Sequence, residues 1–254
     1  MLKNRLIAVI LLKDDFVVQS VGFKHTNAIH YDPIIAIESF NGWAVDEIIV
    51  LNVSKSESSK MQFLKTINRI SNKCFVPLSV GGFINDLVYA KQLISNGADK
   101  IVINTHAFNN PEFISLLAES LGRQCIIVSI DTKINDNGKP VVVTDRARIL
   151  TNSSPVDWAT RAEKMGAGEI FLNSVNHDGL RRGYYLDLYN EISKSINIPL
   201  IAMGGVFTWE HLAEGIEIAK AEAVAAANIF HYTEHSTKKA KQYLIGKNLN
   251  FRPI

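Results

Sequence analysis

The chain has 254 residues, with 27 Lys and Arg against 25 Asp and Glu, a net charge of +2; charged residues make up 20 % and hydrophobic residues 47 %. These are the proportions of an ordinary globular protein, and they argue against disorder, a collagen-like chain and a polybasic nucleic-acid arm. No uncharged apolar run approaches the roughly 18–20 residues that a membrane span requires. The first residues, Met-Leu-Lys-Asn-Arg-Leu-Ile-Ala, lack the long apolar core and small-residue cleavage site of a secretory signal, which points to the cytoplasm. Two cysteines, Cys74 and Cys125, sit in apolar, strand-like runs and read as buried free thiols rather than a disulfide.

Short β-branched runs predict eight strands, over residues 6–10, 47–51, 76–80, 100–103, 125–130, 169–172, 200–202 and 223–226. Several are apolar throughout, as suits strands covered on both faces. Helical patterns separate most of them. Residues 58–70 place Met61, Leu64, Ile67 and Ile70 three apart, and residues 85–95 put Leu87, Ala90, Leu93 and Ile94 on one side. Residues 111–121 open on a proline suited to a first helical turn, and residues 157–165 and 209–219 read as helices too. Gly97, Gly122 and Gly166 fall where three of these helices would stop. Asn135-Asp136-Asn137-Gly138-Lys139 reads as a hairpin turn added after the fifth strand. Eight β/α units over residues 1–254 predict one domain, a (β/α)8 barrel. The runner-up, an open doubly wound sheet, usually has a Gly-rich turn after its first strand; here that strand runs into Leu11-Leu12-Lys13-Asp14-Asp15-Phe16, without glycine.

The chain also repeats itself at about half its length. Residues 7–13 parallel residues 127–133, so that Leu11 is the partner of Asp131. Asp46-Glu47-Ile48-Ile49 parallels Gly168-Glu169-Ile170-Phe171, and Val76-Pro77-Leu78 up to Gly81-Gly82 parallels Ile198-Pro199-Leu200 up to Gly204-Gly205. Gly97-Ala98-Asp99-Lys100, followed by Asn104-Thr105, corresponds to Lys220-Ala221-Glu222-Ala223, followed by Ala227-Asn228. Two half-barrels of four β/α units would produce this order. Each half ends its third strand in Gly-Gly and its fourth in a small or polar pair. Barrel loops at that end bind phosphate through backbone N–H groups, and glycine permits close approach. Two phosphate sites are therefore expected at one mouth, the first from Gly82, Asn104 and Thr105, the second from Gly179, Gly205, Ala227 and Asn228. A phosphorylated small molecule carrying both groups, or inorganic phosphate, is the implied ligand; a lone Gly-Gly would be no more than a turn.

These motifs resemble the cyclase subunit of imidazole glycerol phosphate synthase along nearly the whole chain: Arg5-Leu-Ile-Ala, Val80-Gly-Gly, residues 97–105, Ser129-Ile-Asp-Thr-Lys133, Gly166-Ala-Gly-Glu-Ile170, Asp178-Gly179 with Gly183-Tyr184, Gly204-Gly205, and Asn228-Ile-Phe-His231. The resemblance implies a (β/α)8 barrel with half-barrel symmetry. It also implies a class I glutaminase docked at the barrel bottom, ammonia passing up the axis, and two aspartates at the top acting as general acid and base on a bisphosphorylated substrate. No cofactor is implied. The family's charged ammonia gate matches Arg5, Glu47, Lys100 and Glu169, all four identities kept, and Asp99 matches a position facing the glutaminase. A salt-bridged bottom that only stabilises is the plainer reading of those charges.

The top departs from the family. One catalytic aspartate is present as Asp131; the other falls at Leu11, which cannot carry a proton. A family lysine falls at Gln19, an aspartate at Asn52, a threonine at Asn173 and a serine at Met203, and the third glycine of Gly-Gly-Gly falls at Phe83, where it would crowd the first phosphate site. Leu180, Arg181 and Arg182 are bulkier than the family pattern, and the arginines read as exposed loop residues. The sequence thus predicts a diverged member that docks a glutaminase and conducts ammonia to a third protein, similar to paralogues in surface-polysaccharide clusters where a sugar amidotransferase makes an acetamidino sugar. The alternatives are a working cyclase of histidine synthesis and a non-catalytic scaffold. No His/carboxylate set has metal-ligand spacing; His231 and His235 stand four apart, but Tyr232-Thr233-Glu234 between them reads as the start of a helix, so a capping or surface role is expected. Lys238, Lys239 and Lys241 are expected on a solvated helix face, and the weak net charge gives no field for nucleic acid.

Overall fold

The computed structural model describes residues 3–54 and 56–254; Met1 and Leu2, which begin the segment read above for a leader, and Lys55 lie outside the described residues. Twelve strands form one sheet: β1 (Arg5–Lys13), β2 (Phe16–Val21), β3 (Lys24–His30), β4 (Glu47–Asn52), β5 (Leu78–Gly81), β6 (Lys100–Ile103), β7 (Ile126–Ile134), β8 (Pro140–Thr144), β9 (Ile149–Leu150), β10 (Glu169–Ser174), β11 (Leu200–Met203) and β12 (Ala223–Ala226). The helices are α1 (Pro33–Gly42), α2 (Lys60–Ser71), α3 (Leu87–Ser95), α4 (Thr105–Asn109), α5 (Glu112–Leu121), α6 (Pro155–Met165), α7 (Leu186–Ser195), α8 (Trp209–Glu217) and α9 (Ser236–Gly246). Parallel pairing runs β1-β4-β5-β6-β7-β10-β11-β12 and returns to β1, which closes an eight-stranded barrel. The fold is a (β/α)8 barrel, as the element order predicted.

All eight predicted barrel strands are present, with edges moved by up to four residues. The larger shifts are extensions of β1 and β7, whose upper ends pair antiparallel with β2 and β8. Each half-barrel thus begins with a long strand folded back on itself. The predicted turn at 135–139 makes the second of these hairpins, with Gly138 at φ 73. The β2–β3 hairpin, α1 and α7 had no counterpart in the predicted elements. Helix α1 forms because Asp32 caps the Ile34 N–H and Pro33 pre-sets the first turn. Helix α2 buries Leu64, Ile67 and Ile70 as the spacing predicted, but takes Phe63 into the core in place of Met61, which is exposed. Neither cysteine lies in a strand. Cys74 precedes β5 and Cys125 ends a 3-10 turn before β7, and both are half-buried free thiols.

Alternation along the strands divides the apolar interior in two. Outward-facing residues such as Leu6, Ala8 and Ile10 pack under the helices, and inward-facing residues such as Ile7, Val9, Ile49 and Phe171 fill the axis. The half-barrel repeat also has a physical signature at the bottom. The Asp99 carboxylate accepts from the Leu78 N–H at 2.7 Å, and its repeat mate Glu222 accepts from Leu200 N–H, the mate of Leu78, at 2.8 Å. Backbone bonds run back from Asp99 N to Leu78 O and from Glu222 N to Leu200 O.

Lys241 corrects the sequence reading. It is fully buried rather than solvated, and its ammonium donates to Asp46 Oδ1 at 2.6 Å, while Asp46 Oδ2 accepts from Leu6 N–H. Helical periodicity turns residue 241 inward although the neighbouring Lys238 and Lys239 suggested a polar face. The pair ties the last helix to the feet of β1 and β4. Removing one partner of a buried ion pair strands the other. Lys241→Met is therefore expected to lower stability by about 3–5 kcal/mol in urea unfolding, and Asp46→Asn in the same chain to restore much of the loss.

Candidate functional site

Four charges close the bottom of the axis. Each belongs to the first inward-facing position of its strand: Arg5 of β1, Glu47 of β4, Lys100 of β6 and Glu169 of β10. Arg5 donates to Glu47 Oε1 at 2.8 Å and to Glu169 Oε2 at 2.6 Å. Lys100 donates to Glu169 Oε1 at 2.5 Å and lies 3.4 Å from Glu47 Oε2. Acid and base alternate, each carboxylate bridges both cations, and the ring is neutral. Burial pushes the Glu169 carboxyl up, but the hydrogen bonds and charges of Arg5 and Lys100 outweigh it and hold the group below its ordinary range. Burial likewise opposes the Arg5 charge, and the two glutamates overcome it, so the guanidinium stays protonated. Asp99 is exposed beside this ring with one oxygen tied to Leu78.

Above the ring the axis is mostly apolar, filled by Ile7, Val9, Ile49, Val102, Ile127 and Phe171, with the buried Ser79 of β5, register partner of Ile49 and Lys100, a polar member of this layer. On the β12 side its lining is only methyl groups, from Ala223 and Ala225 with Ala227 above them. The axis ends in a cavity of about 460 Å³ at the C-terminal ends of the strands, whose lining includes Leu11, Leu51 and Met203, with Val9, Val102 and Phe171 beneath them. Leu11 and Leu51 are register partners.

Asp131 lies in this cavity near the top of β7, 8 % exposed. Burial pushes its carboxyl up from 3.8 to about 7; the hydrogen bond from Asn104 opposes that and the charge of Asp178 adds to it. Asn104 Nδ2 donates to Asp131 Oδ2 at 2.6 Å. Asp178 is held at the rim by the Ser20 hydroxyl and the Phe23 N–H. Leu11 faces the same space, so Asp131 has no carboxylate mate at the first strand.

The residues expected to form the first phosphate site do come together on one side of the cavity, but their side chains are engaged. Asn104 turns to Asp131, and Thr105 Oγ1 accepts from the Asp145 N–H at 3.0 Å. Gly82, at φ 113, brings its Cα against Asn52, where an added Cβ would meet the Asn52 carbonyl at 2.5 Å. Phe83 projects at the cavity rim with the Arg146 guanidinium 5.6 Å from its ring centre. Arg146, unread in the sequence, reaches this position because residues 145–147 are consecutively left-handed, and it also donates to Ser54 O. Of the second set, Gly179 and Asn228 meet at Ser20: Asn228 Nδ2 donates to Ser20 O at 2.7 Å, and a Cβ on Gly179 would meet the same oxygen. Gly205 O accepts from the Gly183 N–H, and Ala227 stands at the head of the methyl column. None of these four lines the Asp131 cavity.

Arg181 and Arg182 are exposed as expected, Arg181 lying over the Phe207 ring. Of the capping or surface role expected of the two histidines, neither caps a helix, and His235 is exposed at the surface. His235 occupies the N-cap position of α9 without a capping bond and packs on Trp43. His231 packs between His30 and Phe40, and burial, with the His30 charge, lowers its pKa to about 3.

The raised Asp131 pKa has a stability consequence. Folded chain keeps the proton up to about pH 7, whereas an unfolded carboxyl loses it near 3.8. The favourable contribution is full below the lower value and is lost as pH rises through the upper one. Asp131→Asn is therefore expected to change the melting temperature little at low pH and to stabilise by roughly 2–4 kcal/mol above neutrality, read by calorimetry on both sides of that window.

Comparison with known proteins places the chain. Residues 5–236 match the family described as "Histidine biosynthesis protein". A Vibrio vulnificus (strain YJ016) protein provisionally named imidazole glycerol phosphate synthase subunit hisF2 is 41 % identical, covering 99 % of this chain and 92 % of the relative. The imidazole glycerol phosphate synthase subunit HisF of Chlorobium phaeovibrioides (strain DSM 265 / 1930) is 37 % identical over 99 % of this chain and 100 % of its own, and that of Clostridium botulinum (strain Okra / Type B1) is 37 % identical with the same coverage. The chain belongs to the histidine biosynthesis family of barrel proteins that includes the HisF subunits of imidazole glycerol phosphate synthase.

Proposed function

We propose that this barrel takes ammonia from a class I glutaminase docked at its bottom and passes it along the axis to the upper mouth, where a separate sugar amidotransferase consumes it in surface-polysaccharide synthesis. The closed Arg5–Glu47–Lys100–Glu169 ring carries the proposal, because a neutral ring of four charges across a barrel axis is a gate as well as a brace. A partner that draws Lys100 away opens one side of it. The exposed Asp99 carboxylate beside Lys100 gives that partner a charged contact. Beyond the gate, apolar walls favour neutral ammonia over ammonium, since desolvating the ion is far more costly. The relatives' names, as subunits of a synthase, support an assembled state.

The upper mouth supports transfer more than chemistry. Cyclisation by a general acid and base needs two proton carriers, and loss of one typically removes about 10²–10⁴-fold of rate. Leu11 supplies none, and Met203 and Leu51 add apolar lining. A second reading, a cyclase of histidine synthesis working through Asp131 alone, is favoured by one observation: a carboxyl titrating at about 7 is well matched to proton transfer at neutral pH.

The test is reconstitution with a class I glutaminase and a sugar amidotransferase as acceptor enzyme. Lys100→Met should reduce glutamine-driven product formation by about tenfold or more while ammonium-driven formation stays unchanged. Equal loss from both nitrogen sources, or no binding of the glutaminase in sedimentation, would overturn the conduit. Unchanged glutamine-driven formation would instead favour a scaffold.

A further inference from the structure

The cavity at the upper mouth carries the wrong charge for a doubly phosphorylated ligand. Four carboxylates line it, Glu57, Asp131, Asp145 and Asp178, against one guanidinium, Arg146, and one imidazole, His106. Arg146 already donates to Ser54 O, and the His106 ring packs edge-on against Phe113 at 4.8 Å. A cleft lined mainly by one sign of charge repels ligands of the same sign. The rest of the polar lining is neutral and includes the amides of Asn85, Asn104 and Asn109 and the hydroxyls of Thr105 and Ser129. Such groups both donate and accept hydrogen bonds. At the rim Phe83 stands at φ 56, where a bulky side chain is an outlier and glycine the usual occupant. Residues 145–147, which carry Arg146 onto the Phe83 ring, are left-handed too. Backbone strain of this kind gathers where side chains are aimed at a ligand.

We propose that this cavity binds an uncharged, hydroxyl-rich ligand, a glycosyl group, seated against the Phe83 ring with its hydroxyls on the Asn104–Asp131 pair. Three features set the class. Sugar hydroxyls give and accept hydrogens, so they serve carboxylates and amides alike, whereas a phosphate ester only accepts and meets the carboxylates as like charge. The C–H face of a sugar ring is apolar and packs on an aromatic face, and Phe83 supplies one at the cavity wall. The volume, about 460 Å³, lies within the roughly 300–1,000 Å³ of small-molecule sites. The hydrogen bond from Asn104 to Asp131, 2.6 Å, holds the two side chains together as one polar edge. The charged ring at the barrel bottom plays no part in this site; the inference rests on the proposed function only for the reason that a sugar should come to this mouth.

The experiment is a titration of isotope-labelled protein with neutral monosaccharides (glucose, galactose, mannose, N-acetylglucosamine and N-acetylgalactosamine), following the Asn104 side-chain amide by NMR. Fructose bisphosphate and inorganic phosphate are the charged comparisons. A saturable shift with at least one neutral sugar is expected, and binding of the bisphosphate weaker by about tenfold or more. Phe83→Ala should weaken sugar binding by about tenfold, the worth of one aromatic contact, and Phe83→Tyr, which keeps a ring, should bind as the parent does. Phe83→Gly should lose binding to the same extent as Phe83→Ala yet melt at a higher temperature than that variant, because glycine accepts φ 56. No saturable shift with any of these sugars, tighter binding of the bisphosphate, or a sugar affinity untouched by Phe83→Ala would overturn the site. A barrel that binds a neutral sugar yet fails the glutamine-driven test would sink the conduit alone; one that conducts and binds none of them would sink this site alone.

Discussion

In a closed parallel sheet every second residue of each strand points at a common axis, and the shear of the barrel stacks those residues in layers. That constraint decides what can meet at each mouth. Along β10 it sets Glu169 in the bottom ring, Phe171 in the apolar middle and Asn173 at the top. Along β1 it does the same for Arg5, Ile7, Val9 and Leu11. A slip of one residue in any strand would turn its charge into the helix layer. The ring can exist because four separate strands keep register, and the pairs Asp99–Leu78 and Glu222–Leu200 help pin that register at the bottom in both halves.

The two ends of the axis answer to different energetics. At the bottom four partly desolvated charges are offset by one another, so all four must be kept or all lost, since a single missing member leaves an uncompensated charge. That coupling gives the ring a stabilising value whatever passes through it. At the top the groups are few and not mutually dependent. Replacing a carboxylate by Leu11 removes a like charge from the vicinity of Asp131 and adds apolar contact with Leu51, which makes the change tolerable for folding while removing a proton carrier. The site left behind holds one carboxyl titrating near neutrality and a buried amide oxygen without a donor.

Much of the barrel was legible because its signals are local. Continuous apolar runs marked the eight barrel strands, glycines at 97, 122 and 166 marked helix ends, and the repeat placed Leu11 opposite Asp131. The four ring charges were readable as a set through family resemblance, and their pairing follows from strand register. What escaped depended on tertiary direction. The β2–β3 hairpin has mixed polarity and borrows its stability from pairing with β1. Lys241 looked like a surface lysine until Asp46 was brought beneath it. Asn104 was read as a phosphate ligand from its position after β6, yet its side chain is committed to Asp131. Arg146 is delivered to the rim by three left-handed residues that no composition rule would have picked out.

In the proposed function this chain keeps the gate of its family and has lost the family's own ring-closing chemistry. The most direct measurement is a cyclase assay on the purified barrel, given the bisphosphorylated substrate of the HisF subunits and excess ammonium salt, with Leu11→Asp assayed beside it. Free ammonium bypasses any glutaminase, so only the upper mouth is tested. Turnover at least about 10²-fold below that of a HisF subunit is predicted, with a measurable gain in the Leu11→Asp variant. Turnover of the parent chain equal to that of a HisF subunit would contradict the conduit and return the barrel to histidine synthesis.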